Sequence, residues 1–207
     1  MLGLLVKDLL CLRKSGLKML AIFIIYAVIF SSSDSFSYLS TMITVISTMM
    51  ILNTFAYDEM SKWDYFALSL PVTKKQLVLS KYLLTIIFAF AGMWLSSMVS
   101  LVTRRWNTET FIGLYALVCT ALILAAILLP LLYKLGTQKA RIWLFILFLT
   151  PTAAVILLKG IGFHFSFLTN INDSAMEQYI YLLLPISLVL YVCSYFLSCK
   201  IFQNKEI

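Results

Sequence analysis

Charged residues in this sequence are clustered, and they leave six long segments without Asp, Glu, Lys or Arg. The uncharged segments are 19–33, 35–57, 82–103, 111–133, 142–158 and 178–199. An α-helix rises about 1.5 Å per residue, so about 20 apolar residues cross a hydrocarbon core of about 30 Å. The first and fifth segments are shorter, but the aliphatic stems of Lys18, Arg141 and Lys159 can reach to the interface. Because the apolar runs are continuous rather than alternating, they indicate helices and not a β-barrel.

The pattern therefore predicts an all-α, polytopic membrane protein with six transmembrane helices. Composition agrees, because 62% of the residues are hydrophobic and 12% charged, whereas about 25% of a soluble domain is charged. A soluble fold of this size would need more polar surface than the sequence supplies. No Pro-, Gly- or Ser-rich linker and no internal repeat divides the chain, so we predict a single transmembrane domain over 1–207.

The basic residues predict the orientation of the helices. If the amino terminus is cytoplasmic, all but three of the 16 Lys and Arg residues lie inside, the exceptions being Arg104, Arg105 and Lys159. This asymmetry follows the positive-inside rule, so we expect both termini in the cytoplasm of a cell that carries the protein in its plasma membrane. The net charge of +7 then reflects topology and contact with anionic lipid, and it requires no nucleic-acid partner.

Residues 1–18 have the pattern of an amphipathic helix. A polar stripe consists of Lys7, Cys11, Lys14 and Lys18. The opposite face carries Leu2, Leu5, Leu9 and Leu12. This spacing suits an elbow helix that lies in the membrane interface with its basic face toward the headgroups. It serves either as a topological anchor or as an additional contact with a cytoplasmic partner.

The loop over 58–81 predicts a short amphipathic helix, a break and a second helix start. One face of the first helix would carry Met60, Trp63, Ala67 and Leu70. Pro71 ends it, because the residue before a proline avoids the α region. Thr73 and Gln76 then form a capping-box pattern that opens the helix of the third span. Trp63 is either an interfacial belt residue or a docking residue, since tryptophan is enriched in both settings.

The predicted spans lack the residues of several functional classes. None carries a mid-membrane ionisable side chain, which coupled carriers usually need. The single histidine, His164, lies in a predicted outer loop, and no HExxH motif is present. No GxxxxGK[ST] phosphate loop occurs either. We therefore expect no enzymatic activity, metal or cofactor on this chain, and any driving energy must enter through another subunit.

Hydroxyl side chains mark one side of the second predicted span. They are Ser40, Thr44, Ser47 and Thr54. Hydroxyls in membrane helices either bond to their own backbone and allow close packing, or line a polar pathway. Both interpretations remain open, and we treat these residues as candidates for lining a pathway.

The loop between the second and third spans resembles a known family. The matching stretches are FAYDE at 55–59, KWD at 62–64, YFALSLPV at 65–72, KK at 74–75 and SKY at 80–82. They resemble the permease subunits of ABC-2 type transporters. Within that family they are similar to the small six-helix permeases of Gram-positive bacteria, including phenol-soluble-modulin and lantibiotic-type peptide exporters.

The resemblance implies an elbow helix, six spans and a coupling helix between spans two and three that enters a groove of a separate ATPase subunit. The residues that match this interface are Asp58, Glu59, Met60, Lys62, Trp63, Asp64, Leu70 and Pro71. Met60 and Trp63 would be the buried anchor, and Glu59, Lys62 and Asp64 the charges at its rim. ATP and Mg²⁺ would bind to the partner subunit, and a second copy of the permease, or a homologue, would complete the pathway.

Uncharged spans suit an amphipathic or hydrophobic cargo, such as a membrane-active peptide, with a lipid or an apolar antibiotic as alternatives. The resemblance implies an exporter in a bacterial membrane. A second function also fits the composition: a membrane scaffold or immunity protein that binds a toxin or partner without transport. A neighbouring reading frame with a phosphate loop would favour the transporter.

Overall fold

The computed structural model describes residues 2–30, 50–69, 71–102, 108–160 and 173–204. Six helices follow one another in this part of the chain. They are α1 (Leu2–Phe30), α2 (described over 50–60), α3 (Trp63–Ser69), α4 (Lys74–Val102), α5 (Thr108–Gly160) and α6 (Asp173–Gln203). No β-strand occurs among the described residues, which confirms the all-α prediction.

Three segments of the described helices are long and apolar enough to cross a membrane: Lys74–Met98, Phe111–Trp143 and Leu182–Gln203. They overlap the predicted third, fourth and sixth spans, so the chain is a multi-pass membrane protein. The predicted first and second spans, over 19–33 and 35–57, include positions outside the described residues, and the predicted fifth span, over 142–158, is helical in α5 but is not among these three segments. The count of six spans therefore stays a prediction.

The amino-terminal helix differs from the expected elbow. α1 runs without interruption from Leu2 to Phe30, so the expected boundary near residue 18 is not a helix end. The face of α1 that packs on the protein carries Asp8 and Leu12, whereas Leu9 is exposed. Asp8 is buried because two lysines neutralise it, and that long-range pairing is invisible in the amphipathic pattern. Whether the first turns of α1 lie in the interface stays a prediction.

Helices α4, α5 and α6 form the core of the bundle. Val78 and Tyr82 of α4 pack with Ala125 and Leu129 of α5, and each of these side chains is almost fully buried. Phe202, near the end of α6, is equally buried. In a membrane, lipid solvates the outer faces of such helices, so tight contact depends on packing and interhelical hydrogen bonds.

Buried hydroxyls join these three helices. The Tyr82 hydroxyl of α4 lies 2.7 Å from Ser194 Oγ and 2.8 Å from Ser198 Oγ, both on α6. Ser194 donates to the Ala126 carbonyl of α5 at 2.6 Å, and the Tyr191 hydroxyl donates to the Tyr82 carbonyl at 2.7 Å. Because the Ser194 proton is used on α5, Tyr82 donates to Ser194 and Ser198 donates to Tyr82. We call Tyr82, Tyr191, Ser194 and Ser198 the hydroxyl network.

The helix start before the third span has the predicted form. The Thr73 backbone N–H donates to Gln76 Oε1 at 3.1 Å, and the Gln76 N–H donates to Thr73 Oγ1 at 3.3 Å. This reciprocal pair is a capping box, and α4 begins at Lys74 directly after Thr73. The prediction from the Thr73–Gln76 spacing is confirmed.

The short helix before it starts later than the pattern predicted. Met60 belongs to α2, and the chain turns at Ser61 and Lys62 before α3 begins at Trp63. Lys62 has a φ of 51°, in the left-handed region that lysine seldom adopts. The Ser61 hydroxyl donates to the Tyr57 carbonyl at 2.8 Å and helps to end α2. Met60 and Trp63 therefore do not share one helical face, because the turn separates them.

Candidate functional site

Four charged side chains meet where α1, α2 and α4 converge at one end of the bundle. Lys7 Nζ lies 2.5 Å from Asp58 Oδ1 and 2.9 Å from Asp8 Oδ1. Lys81 Nζ lies 2.5 Å from Asp58 Oδ2 and 3.0 Å from Asp8 Oδ2. Each lysine thus bridges both carboxylates. We call Lys7, Asp8, Asp58 and Lys81 the ion cluster.

The ion cluster is largely withdrawn from water. Asp8 is 2% exposed and Lys81 7% exposed. Removing an ion from water costs several kcal/mol, which is offset only when each charge has opposite neighbours in good geometry. Each of the two lysines lies within 3.0 Å of both carboxylates, and the four charges sum to zero. The three helices are therefore tied together without leaving a buried net charge.

Lys7 is the most accessible member of the ion cluster. The pKa of its ammonium reflects two opposing influences, burial and the neighbouring carboxylates. Burial opposes its charge, but the hydrogen bond and the negative charge of Asp58, followed by those of Asp8, outweigh burial. The pKa of the Lys7 ammonium is consequently raised above its usual value. Lys7 is therefore protonated at neutral pH and available for both carboxylates.

The next carboxylate along α2 points to a different helix. Glu59 accepts hydrogen bonds from the Thr137 backbone N–H at 3.0 Å and from the Thr137 hydroxyl. Thr137 follows Gly136, where α5 departs from helical geometry with φ 78° and ψ 172°. A Cβ added at Gly136 would lie 3.2 Å from Glu59 Oε1. We call the contact of Glu59 with Gly136 and Thr137 the Glu59 cap.

A cleft of about 90 Å³ separates the ion cluster from the Glu59 cap. Its walls include four aromatic side chains, Phe55, Trp63, Tyr133 and Phe202. Lys7 Nζ lies 4.1 Å from the ring centroid of Trp63, and Lys81 Nζ lies 5.3 Å from that of Phe55. These are cation–π distances, so α3 is connected to α1 through the Lys7–Trp63 contact.

Three large apolar side chains of this segment are exposed. Met60 is 82% exposed, Tyr65 64% and Phe66 56%. We call Met60, Tyr65 and Phe66 the exposed α3 face, although Met60 itself ends α2. Apolar side chains grouped on a polar end of a membrane protein are typical of contact with another protein.

The residues predicted for the ATPase interface fall into two groups. Asp58, Glu59 and Trp63 contact the bundle, in the ion cluster, the Glu59 cap and the contact with Lys7, and Glu59 is at the same time exposed. Met60, Lys62 and Pro71 are exposed. Asp64 is half-buried and lines the cleft, and Leu70 lies outside the described residues.

The candidate pathway residues are described only in part. Thr54 is buried, and its hydroxyl donates to the Ile51 carbonyl of its own helix at 2.7 Å. Ser40, Thr44 and Ser47 lie outside the described residues. A role of these four in lining a pathway stays a prediction.

Several residues of the site were not singled out from the sequence. Lys81 and Tyr65 were noted only within the stretches that match the family, and Asp8, Gly136 and Thr137 were not singled out. The available signals were an aspartate on the apolar side of an amphipathic helix, and a glycine followed by threonine between two predicted spans. In the described part of the chain, no group of three or more His, Cys, Asp or Glu is placed to hold a metal ion.

Comparison with known proteins places the chain in a family. Residues 3–203 match the family described as ABC-2 family transporter protein. No curated protein matches the chain, and no solved structure does. The family match covers the ion cluster, the Glu59 cap and the exposed α3 face together. Because it covers nearly the whole sequence, the chain belongs to the ABC-2 family of membrane transporter proteins.

Proposed function

We propose that this chain is the membrane-spanning permease subunit of an ATP-driven exporter, moved by a separate ATPase that binds the exposed α3 face. Permeases of the ABC-2 family generally work with an ATP-binding subunit. The observation that carries the proposal is the two-sided character of the 58–66 segment. Its outer side exposes Met60, Tyr65 and Phe66, and its inner side is bonded to three other helices.

The proposed orientation follows from the basic residues. With this end of the bundle in the cytoplasm, the positive-inside rule is obeyed and both termini are cytoplasmic. Exposed Lys75, Lys134 and Lys200 then lie on the side of the anionic headgroups. The exposed α3 face would be accessible to a soluble ATPase in a bacterial cytoplasm, and ATP and Mg²⁺ would bind there rather than on this chain.

Force would reach the helices through the contacts of α2 and α3. Displacement of α3 moves Trp63 against Lys7, and therefore moves α1 through the ion cluster. The same displacement moves Asp58 against Lys81 of α4, and Glu59 against Thr137 of α5. Six helices form half a pathway, so a second permease, identical or homologous, would complete it. Rocking of the two bundles would give alternating access.

We propose an amphipathic or hydrophobic cargo, with a short membrane-active peptide as the first candidate. The support is the absence of Asp, Glu, Lys and Arg from the predicted spans. Such a pathway favours a molecule that enters from the inner leaflet. If the purified complex shows no rise in ATPase activity with any amphipathic peptide, the peptide assignment fails.

Co-purification tests the coupling surface. The full chain is purified from its native membrane together with the subunit that carries a phosphate-binding loop. A Met60→Asp/Phe66→Asp variant should lose that subunit, because two charges in an apolar contact remain unpaired when buried. Asn204→Asp, which places one charge on an exposed residue at the end of α6, is the matched control.

Two outcomes separate the alternatives. Retention of the ATPase by the Met60→Asp/Phe66→Asp variant would reject this face as the coupling surface. Recovery of a toxin or another partner, with no phosphate-loop protein, would favour the scaffold or immunity function instead.

A further inference from the structure

The helix that follows Gly136 has no capping side chain at the position where one is usual. The residue before a helix commonly supplies an oxygen to the first free N–H groups, and Ser, Thr, Asp and Asn serve best. Here that residue is Gly136, which has no side chain and adopts φ 78°. The cap comes instead from Glu59, which lies 78 residues earlier in the chain.

Because Glu59 belongs to α2, the geometry of the chain at Gly136 depends on the position of α2. A carboxylate near a helix amino terminus is favoured by the free N–H groups and by the helix dipole. Glu59 meets both conditions, since it accepts from the Thr137 N–H and hydroxyl. Gly136 leaves the room for it, because a Cβ there would come within 3.2 Å of Glu59 Oε1.

The position of Glu59 is also restricted through the residue before it in the chain. Its neighbour Asp58 is fixed between Lys7 and Lys81. Adjacent residues on the last turn of α2 therefore bind α1 and α4 through one side chain and α5 through the other. The end of α2 cannot move relative to the bundle without changing one of these two contacts.

We infer that Glu59 is a positioning residue that sets the direction of the helix segment 137–160 and ties this segment to movement of α2. The link itself is a property of this chain alone, and its role in export rests on the proposed function. When the cap is intact, the segment after Gly136 moves with α2. When the cap is lost, Gly136 is a free hinge and the two halves of α5 become independent.

A distance measurement on the full chain in lipid nanodiscs tests this inference. Spin labels are attached at exposed Lys75 of α4 and Lys139 after the break, in a background with the four cysteines replaced. A second pair, on Lys75 and exposed Lys200 of α6, reports the rest of the bundle. Glu59→Ala should shift and broaden the 75–139 distribution and leave the 75–200 distribution unchanged.

Matched variants test which atoms of the Glu59 cap are needed. Glu59→Gln keeps an acceptor oxygen and should keep the main 75–139 distance. Thr137→Val removes the hydroxyl but keeps the N–H, so an intermediate shift is expected. Gly136→Ala should also shift the 75–139 distance, because its Cβ crowds Glu59 and alanine disfavours a φ of 78°, and this shift should persist in combination with Glu59→Ala. Ser69→Ala, whose hydroxyl bonds within α3, is the control without effect.

The results separate this inference from the proposed function. An unchanged 75–139 distance in Glu59→Ala, or an equal change in both label pairs, would overturn the positioning role. If the ATPase does bind, Glu59→Ala should retain it, yet lose the ATP-dependent change in the 75–139 distance. Failure of any ATPase to co-purify would count against export and would leave the lipid measurement intact.

Discussion

Two polar regions of this protein hold helices together by different chemistry. The hydroxyl network joins α4, α5 and α6 with neutral groups at distances of 2.6 to 2.8 Å, deep among apolar side chains. The ion cluster joins α1, α2 and α4 with four full charges at one end of the bundle. Both are buried and both link helices that are distant in sequence.

The difference follows from where water is available. A neutral hydroxyl costs little to bury when it has a partner, so it is tolerated inside a membrane bundle. Charges need neighbours of opposite sign and are found near the polar end of the helices. Neutral bonds therefore suit the interior of the bundle. Charge pairs suit the end of the helices, because water can stabilise ions that separate there.

Removal of one charge should have the largest effect. Lys81→Met leaves Asp8 and Asp58 with Lys7 as their remaining partner in the cluster, and breaking a buried ion pair from one side costs about 3–5 kcal/mol. Denaturant unfolding in mixed micelles measures the loss of unfolding free energy. Lys75→Met, an exposed lysine on the same helix, is the control. Equal losses in the two variants would show that the cluster does not stabilise the bundle.

Removal of one hydroxyl should have a smaller effect. Tyr82→Phe deletes the bonds to Ser194 and Ser198 without creating a buried charge, and we expect a loss of about 1 kcal/mol. The same unfolding assay applies, with Tyr65→Phe on the exposed α3 face as the control. A loss as large as that of Lys81→Met would contradict the distinction between the two regions.

The smallest expected effect is the loss of the Lys7 contribution to stability at alkaline pH. Because folding raises the pKa of Lys7 above 10.5, its contribution is complete below that value and declines as pH rises through the folded-state pKa. The difference in unfolding midpoint between the protein and Lys7→Met should therefore stay constant up to about pH 10 and narrow above it. Narrowing already at neutral pH would show that Lys7 is not held by the two aspartates.

Local patterns in the sequence predicted the parts of the fold that depend on interactions between residues close in sequence. Continuous apolar segments indicated the three helix segments that are long and apolar enough to cross a membrane, and the Thr73–Gln76 spacing predicted the helix start, because each effect lies within a few residues. Long-range contacts were not predictable in this way. The bond between Asp8 and Lys81 needs α1 and α4 side by side, and a single sequence does not record which helices are neighbours.

The candidate site shows the same difference between local patterns, which the sequence reveals, and long-range contacts, which it does not. The sequence drew attention to the segment around Trp63, but it did not indicate which helices its side chains contact. The resemblance placed Asp58 in the partner contact and Glu59 at its rim, and in the described structure both bond within the bundle. The turn at Lys62 explains part of the difference, since it rotates α3 relative to α2 by breaking the helical register.

The ion cluster also constrains the order in which the helices can join one another during synthesis. Asp8 leaves the ribosome long before Lys81, and during that interval Lys7 is the nearby counter-ion that the cluster provides. The Lys7–Asp58 contact of α1 can form once α2 has been synthesised, but the Asp8–Lys81 contact can form only after α4 has followed. The amino-terminal helix is thus made first, and its place in the bundle is completed only when a much later helix arrives.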